Sequence, residues 1–189
     1  MSVTSLGAET LVGDEDLYER FRRGDSRAFE TLYQRYRPQL YRYLQRLLGD
    51  EGEAQDLYQE VWLRVIHARE PFRAGLFRPY LYRIGHNLAI DRRRRRHLHL
   101  VSTDDECREA VADPGPTPER RVEDADCRER LLKGLDSLPQ EQREAFLLKE
   151  EGGLSLEQIA LIAAVGRETI KSRLRYAMAR LRQLLEDCL

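Results

Sequence analysis

The chain has few of the residues that build disulfide scaffolds or membrane spans. Among its 189 residues there are only three cysteines, at positions 107, 127 and 188, and they form no C-x-x-C pair. This spacing argues against a disulfide framework, so we expect all three thiols to be reduced. The sequence has no apolar run long enough to cross a membrane and no signal peptide after Met1, which predicts a cytoplasmic protein.

Motifs for catalysis and metal binding are equally scarce. His97, His99, Cys107 and Cys127 could in principle gather a metal ion, but no compact ligand pair anchors them. The sequence has no glycine-rich phosphate loop and no recognisable Ser-His-Asp or Cys-His set. We therefore expect no cofactor, no metal and no small-molecule substrate, and we do not interpret the chain as an enzyme.

Charge is abundant but segregated along the chain. Acidic and basic residues nearly cancel, to a net charge of −1. Five consecutive arginines nevertheless occupy positions 92–96, and Asp and Glu crowd the segment 104–126 that follows. Charge blocks of this kind predict different partners for different segments.

Apolar residues recur at helical spacing through most of the remaining sequence, and nothing suggests strands. Gly24 is expected to end a first helix and Asp25 to cap the second. Pro38 falls inside that second helix, where we expect a kink or a break. The helices predicted in the first half cover residues 14–23, 26–48, 53–68 and 79–96.

Residues 98–126 break this rhythm around a proline-rich sequence, Asp113 to Pro118, which predicts an extended linker. The predicted fold is therefore all-α, with two small helical domains joined by a flexible acidic linker. The predicted boundaries are a mobile tail at 1–13, a first domain at 14–97, the linker at 98–126 and a second domain at 127–189.

Residues 154–185 have the pattern of a helix-turn-helix. Ser155 is placed to cap the first helix, and Ala164-Val165-Gly166 forms the turn, with glycine able to supply a positive φ. The second helix combines an apolar stripe with a polar face rich in Lys and Arg. A helical hairpin in an ordinary bundle would show the same stripes. The long polar side chains over the first two turns favour a helix that enters a DNA major groove.

The chain resembles a bacterial RNA polymerase sigma factor, of the extracytoplasmic-function class of the sigma-70 family, in five segments that follow the family's order. They are LYQRYRPQLYRYLQRLLGD, AQDLYQEVWLRVI, FRPYLYRIGHNLAIDRRRR, LPQEQREAFLLKEEGGLSLEQIA and ETIKSRLRYAMARLR. The resemblance implies that residues 14–97 are sigma domain two and residues 127–189 are sigma domain four. It implies binding to core polymerase, promoter recognition, DNA melting and transcription of a specific stress- or envelope-responsive regulon.

The resemblance also implies three functional surfaces. The polar face of the third helix would contact the clamp helices of the largest polymerase subunit through Asp56, Gln59, Glu60 and Arg64, although simple solvent exposure explains the same residues. The minus-ten element would be bound by Phe77, Tyr80, Tyr82, Arg83, His86, Asn87, Asp91, Arg92, Arg93, Arg94 and Arg95. The minus-thirty-five element would be bound by Arg167, Glu168, Thr169, Lys171, Ser172, Arg173 and Arg175.

The sequence leaves alternatives open for the roles of individual residues and of the linker. An aromatic residue such as Tyr80 could stack on an unpaired base or belong to the core. His86 stands where the family commonly has Arg, which would make a DNA contact there depend on pH. Ala164 stands where the family commonly has Gly, which predicts a turn geometry that differs from the family's. The acidic linker could occupy the polymerase's RNA channel or be a plain spacer.

The partners implied by the resemblance are promoter DNA, core polymerase, including the flap of its second-largest subunit, and an anti-sigma factor. One rival interpretation is a dimeric helix-turn-helix regulator that binds DNA alone. That interpretation gives no purpose to the arginine-rich fourth helix. A second rival is a protein-interaction module that titrates a partner without touching promoters.

Overall fold

The computed structural model describes residues 12–68, 76–102 and 120–186, with side chains described except at 97–102 and 120–126. The regular structure within these ranges is helical throughout, which confirms the predicted all-α class. No helix in this part of the chain is both long and apolar enough to cross a bilayer. The helices are α1 (Asp14–Arg22), α2 (Ser26–Leu48), α3 (Glu51–His67), α4 (Phe77–Ser102), α5 (Arg120–Ser137), α6 (Gln140–Glu150), α7 (Leu156–Ala163) and α8 (Arg167–Leu184).

Helix α2 begins and ends where the sequence predicts. The Asp25 carboxylate accepts hydrogen bonds from the backbone N–H groups of Arg27 and Ala28, at 3.1 and 3.3 Å, and Gly49 ends the helix with a φ of 74°. Of the kink or break expected at Pro38, a break is wrong, because α2 runs through it as a single helix. Pro38 removes one backbone hydrogen bond, but the core packing on both sides of it supplies most of the helix's stability.

Helix α4 starts at Phe77, earlier than the predicted Pro79. A proline is tolerated in the first turn of a helix, because the first N–H groups have no acceptor inside the helix. The Glu15 carboxylate of α1 instead accepts the Phe77 N–H, at 3.1 Å. Helices α1–α4 enclose one core, whose fully buried members include Leu32, Leu40, Tyr43, Leu44, Leu57, Phe77 and Leu81.

The predicted helix-turn-helix is confirmed as α7 and α8. The Ser155 hydroxyl accepts the Gln158 N–H at 3.2 Å, and the Gln158 side chain accepts the Ser155 N–H at 2.9 Å. This reciprocal capping box fixes where α7 begins. Helix α8 packs against α6 and α7 through Ile170, Ala177 and Leu181, which are buried.

The turn between α7 and α8 uses a different residue from the one predicted. Ala164, and not Gly166, has the positive φ, at 53°, whereas Gly166 caps α8 with a φ of −69°. The α7 chain must reverse immediately after Ala163, so the left-handed residue is the one directly following the helix. Alanine at this position carries a steric penalty that glycine avoids.

We expect Ala164→Gly to stabilise the protein by up to about 1 kcal/mol. The left-handed conformation costs an L-residue about 1–2 kcal/mol, and the greater freedom of glycine in the unfolded chain offsets part of that gain. Urea or thermal unfolding measures the change. Ala179→Gly, at an exposed position inside α8, is the control and should lose about 1 kcal/mol. A less stable Ala164→Gly variant would contradict the expectation.

The predicted linker is helical at both of its ends. Helix α4 continues to Ser102 and α5 begins at Arg120, while residues 103–119, with the proline-rich sequence, lie outside the described residues. The α5 extension, residues 120–126, consists mostly of charged residues, and a helix that is polar all round gives little periodic signal in the sequence.

The expectation that every cysteine is reduced is wrong for Cys127, which is disulfide-bonded. Cys107 and Cys188 are the other cysteines of the chain, and both lie outside the described residues. Separation along the sequence did not exclude a bridge, because it does not set the distance between two residues in a folded chain.

Candidate nucleic-acid and polymerase interfaces

Helix α8 presents a polar face to solvent, opposite the stripe that is buried in domain four. The Glu168 and Lys171 side chains are 75% and 65% exposed, and a distance of 3.7 Å joins their charged groups. The Arg175 guanidinium lies 5.0 Å from the centre of the exposed Tyr176 ring. All of the predicted minus-thirty-five residues are exposed or half-buried on α8, and those other than Arg173 are Arg167, Glu168, Thr169, Lys171, Ser172 and Arg175.

Arg173 differs from the rest of that set. Its side chain is only 17% exposed, and its guanidinium donates a 2.8 Å hydrogen bond to Glu141 of α6. The structure therefore directs Arg173 towards the body of domain four.

Arg167, at the start of α8, is held by two carboxylates. Its Nε donates to Glu157 of α7 at 2.6 Å, and its Nη1 donates to Glu168 at 3.1 Å. Sequence reasoning did not assign Glu157 to this surface, because the pairing joins two separate helices. The pKa of Glu157 is lowered, first by its own backbone N–H and then by Arg167 and the Ser155 hydroxyl.

Helix α4 carries a second exposed polar stripe. Arg83, Asn87 and Arg94 succeed one another at helical spacing and are exposed, and Arg95 lies beside them. Among the described residues, Arg83 and Arg95 form no hydrogen bond or ion pair, and Arg94 has only a 3.8 Å contact with Asp91. Arg83 and Arg95 can therefore reach a nucleic-acid strand without first breaking an internal contact, and Arg94 would give up only its weak contact with Asp91.

Three of the predicted minus-ten residues are buried. Phe77, Tyr82 and His86 have exposed fractions of 0%, 1% and 6%. The Phe77 ring lies 5.2 Å from that of Tyr18, and the Tyr82 ring lies 5.2 Å from that of Tyr43. In this arrangement none of the three can stack on a base. Tyr80 is half-buried at the edge of the same aromatic cluster.

The run of five arginines is divided between structural and exposed roles. The Arg92 guanidinium donates to the backbone carbonyl of Glu53 at 3.1 Å, and Arg96 forms an ion pair with the Glu53 carboxylate. Arg93 donates to the backbone carbonyl of Leu47 at 2.7 Å. Because successive helical residues point about 100° apart, a continuous run in the sequence faces several different neighbours.

Domains two and four meet along a contact that we call the interdomain seam, formed by Arg42, Arg46, Tyr82, His86 and Arg93 on one side and Glu144 and Glu151 on the other. The Glu151 carboxylate pairs with Arg42 at 3.0 Å and also with Arg46, and its backbone carbonyl accepts the Tyr82 hydroxyl at 2.9 Å. Glu144 pairs with Arg93 at 3.0 Å. The seam explains why Tyr82 and His86 are buried.

His86 is the titratable base of the seam. Its Nδ1 lies 3.5 Å from the Tyr43 hydroxyl, and desolvation by burial lowers the pKa of His86 below its ordinary value. The nearby Glu144 carboxylate opposes this shift, and Arg93 adds to it. The imidazole is therefore neutral at pH 7, and it does not provide the cation that the family commonly places here.

We expect the free energy of unfolding to fall as the pH drops through the ordinary histidine range, because the unfolded chain binds the His86 proton more readily than the folded chain. One proton limits this slope to about 1.4 kcal/mol per pH unit. Urea unfolding of wild type and His86→Gln between about pH 5 and pH 8 measures it. The free energy of unfolding of His86→Gln should depend less on pH, because the variant has no imidazole at this position. Equal slopes for the two proteins would contradict the lowered pKa of His86.

The predicted polymerase-docking face of α3 is exposed. Asp56 and Gln59 face solvent, and Glu60 forms a 2.9 Å ion pair with Arg64 within the helix. Leu63 and Ile66 lie on the same helix with 52% and 42% of their surface exposed. These two apolar residues could not be singled out from the sequence, where nothing distinguishes them from core residues, but large exposed apolar side chains beside polar ones are typical of protein interfaces.

A cleft of about 600 Å³ lies between α2 and α3 beside this face. Its lining is aromatic and polar, and it includes Tyr33, Arg37, Tyr41, Tyr58 and Gln59. Gln59 thus belongs both to the exposed face and to the cleft, so a partner that covers α3 would also meet these tyrosines.

Comparison with known proteins identifies the family. Residues 32–98 match the family model for Sigma-70 region 2, and residues 134–183 match that for Sigma-70, region 4. RNA polymerase sigma factor CarQ of Myxococcus xanthus is 33% identical over 172 residues, which cover 89% of this chain and 95% of CarQ. The ECF RNA polymerase sigma factor SigE of Mycolicibacterium smegmatis is 33% identical over 84% of this chain, which spans 62% of its length.

Solved structures agree with this relationship. The sigma factor RpoE from Bartonella quintana, in complex with the anti-sigma factor NepR, superposes with a TM-score of 0.69 at 26% identity, covering 84% of this chain and 96% of the matched chain. CnrH, in complex with the cytosolic domain of CnrY, has the same fold, with a TM-score of 0.64 at 24% identity over 92% of this chain and 97% of the matched one. The chain belongs to the extracytoplasmic-function class of the sigma-70 family of RNA polymerase sigma factors.

Proposed function

We propose that this chain binds core RNA polymerase, directs it to a specific set of promoters and helps to open the DNA there. It acts in the cytoplasm, where the polymerase works, and has no catalytic activity of its own. The observation that carries the proposal is the exposed polar face of α8, whose opposite face is fixed in the core of domain four. A helix held in this way can enter the major groove and offer Lys171 and Arg175 to base edges and phosphates.

Within the proposed minus-ten surface, the exposed residues of α4 make the contacts with DNA. Arg83, Asn87, Arg94 and Arg95 line one side of the helix, where a separated strand can lie along it. Tyr80, which is half-buried beside the aromatic cluster, is the residue placed to stack on an unpaired base. Other residues of α4 support this surface without contacting DNA. Phe77 does so from the core, and Tyr82, His86 and Arg93 do so from the interdomain seam.

The exposed face of α3 is the proposed contact with the clamp helices of the largest polymerase subunit. Asp56, Gln59 and Glu60 supply polar and acidic groups, and the exposed Leu63 and Ile66 supply apolar surface to bury. An interface with an apolar centre and a polar rim is typical of specific protein contacts. Domain four would meet the flap of the second-largest subunit.

An anti-sigma factor is a further proposed partner. The support is that RpoE from Bartonella quintana, which shares the fold at 26% identity, was solved in complex with the anti-sigma factor NepR. Such a partner would hold this chain away from the polymerase until a signal releases it.

The two domains must separate to read both promoter elements. Elements centred about 25 base pairs apart, at about 3.4 Å per base pair, lie on the order of 80 Å apart along the duplex. A compact chain of this length is only about 40 Å across. The interdomain seam therefore has to open when the chain joins polymerase on a promoter.

The test is run-off transcription by purified core polymerase on fragmented bacterial DNA, with and without this protein. Discrete new transcripts that share two upstream motifs are expected. Absence of stimulation and of co-elution with core polymerase, together with specific duplex binding by the protein alone, would instead indicate a dimeric DNA-binding regulator.

A further inference from the structure

Glu157 lies at the edge of the proposed DNA-reading surface, on α7 and not on the recognition helix. It follows Ser155 by two residues and is therefore in the first turn of α7, whose start is fixed by the capping box. Its side chain is 62% exposed, so it is not a core residue. Its carboxylate points across the turn to the first residue of α8.

One hydrogen bond joins the Glu157 carboxylate to the recognition helix, since the Arg167 Nε donates to it from α8 at 2.6 Å. Glu157 lies in the first turn of α7, which the capping box fixes, and Arg167 is the first residue of α8. Because both residues belong to helix starts of defined geometry, Glu157 can orient the Arg167 guanidinium.

Arg167 has five N–H donors, and the structure uses two of them. Nε is bound to Glu157, and one Nη1 hydrogen is directed to Glu168 at 3.1 Å. The remaining hydrogens are one on Nη1 and two on Nη2. An Nη1 hydrogen and an Nη2 hydrogen that point away from Nε form two parallel donors, which is what bidentate recognition of a guanine O6 and N7 requires.

We propose that Glu157 is a positioning residue for base recognition, which holds the Arg167 guanidinium so that its free end meets one base pair of the minus-thirty-five element. This inference rests on the proposed function and adds to it a specificity determinant outside the recognition helix. Without Glu157, Arg167 would have to be ordered at the moment of binding, and it could turn to a nearby phosphate instead.

The proposal separates specificity from affinity. Glu157 adds a negative charge close to DNA, so its removal should strengthen binding to DNA of any sequence. Loss of the fixed Arg167 geometry should at the same time weaken discrimination at the base pair that Arg167 reads. The ordering cost of one long side chain corresponds to about a two- to tenfold change in that discrimination.

The experiment uses the complete chain with core polymerase on a promoter library that is randomised across the minus-thirty-five region. The base preferences of wild type, Glu157→Gln, Arg167→Ala and the double variant are read from the transcripts. We expect Glu157→Gln to flatten the preference at one base pair, the same one that Arg167→Ala flattens, with little further loss in the double variant.

The matched control is Glu141→Gln. Glu141 is also an exposed glutamate of domain four that pairs with an arginine of α8, but its partner Arg173 is only 17% exposed. The control changes the charge equally and should leave every base preference in place. Unchanged preferences in Glu157→Gln, or a loss that adds fully to that of Arg167→Ala, would overturn the proposal. A wild-type chain that selects no promoter would instead overturn the proposed function.

Discussion

The variant Lys171→Ala, Arg175→Ala is expected to lose promoter-directed transcription while keeping its fold. Each contact of this type with a base edge contributes about 1–3 kcal/mol, so removing two lowers promoter affinity by roughly 30-fold or more. Both side chains are exposed, and substitutions at such positions usually change stability by less than about 0.5 kcal/mol. Run-off transcription and a thermal melt of the same preparation measure the two quantities.

Arg180→Ala is the control for this pair. Arg180 is an exposed arginine of the same helix, but it lies away from the face formed by Lys171 and Arg175. Its removal should leave transcription close to that of the wild type. Normal promoter use by the double variant would contradict the assignment of α8 and would favour the interpretation of the chain as a protein-interaction module.

Replacing Glu144 and Glu151 with glutamine is expected to open the interdomain seam. The two glutamates are only 10% and 9% exposed, and their arginine partners are between 24% and 48% exposed. A fully buried pair that loses one partner costs about 3–5 kcal/mol and an exposed pair about 0–1 kcal/mol, so we expect about 1–2 kcal/mol for each site. Together these shift the balance between packed and separated domains by roughly 30-fold or more.

Small-angle X-ray scattering measures this shift as an increase in the radius of gyration. Glu150→Gln is the control, since Glu150 is exposed and forms no ion pair among the described residues. Arg46→Gln removes the domain-two partner of Glu151 and should also increase the radius of gyration. An unchanged radius in both seam variants, with the helical content preserved, would show that the ion pairs do not hold the domains together.

The parts of the fold that depend on local signals could be predicted from the sequence. Asp25, Gly49 and Ser155 mark helix ends through their own hydrogen bonds or backbone angles, and the stripe of Ile170, Ala177 and Leu181 identifies the buried side of α8. Signals of this kind extend over a few residues and need no knowledge of the rest of the chain.

The interdomain seam could not be predicted in this way. Arg46 and Glu151 are separated by 105 positions, and neither residue differs in the sequence from an ordinary surface charge. The buried state of Tyr82 and His86 depends on that same contact. The positive φ of Ala164 was not predicted for a different reason. Gly166 lies two positions later, and glycine adopts a positive φ with less strain than alanine.

The division of the arginine run bears on how ionic strength should act on promoter opening. A protein that neutralises phosphates of a single strand releases bound cations, and its binding constant falls with a log–log slope of about 0.7 per phosphate. Five contacts would give a slope of about 3.5. Arg92 and Arg96 bind Glu53, and Arg93 binds Leu47 and Glu144. Of the five arginines, Arg94 and Arg95 are left to contact phosphates, and two such contacts give a slope of about 1.4. The length of a basic run thus overstates how strongly added salt should weaken strand capture.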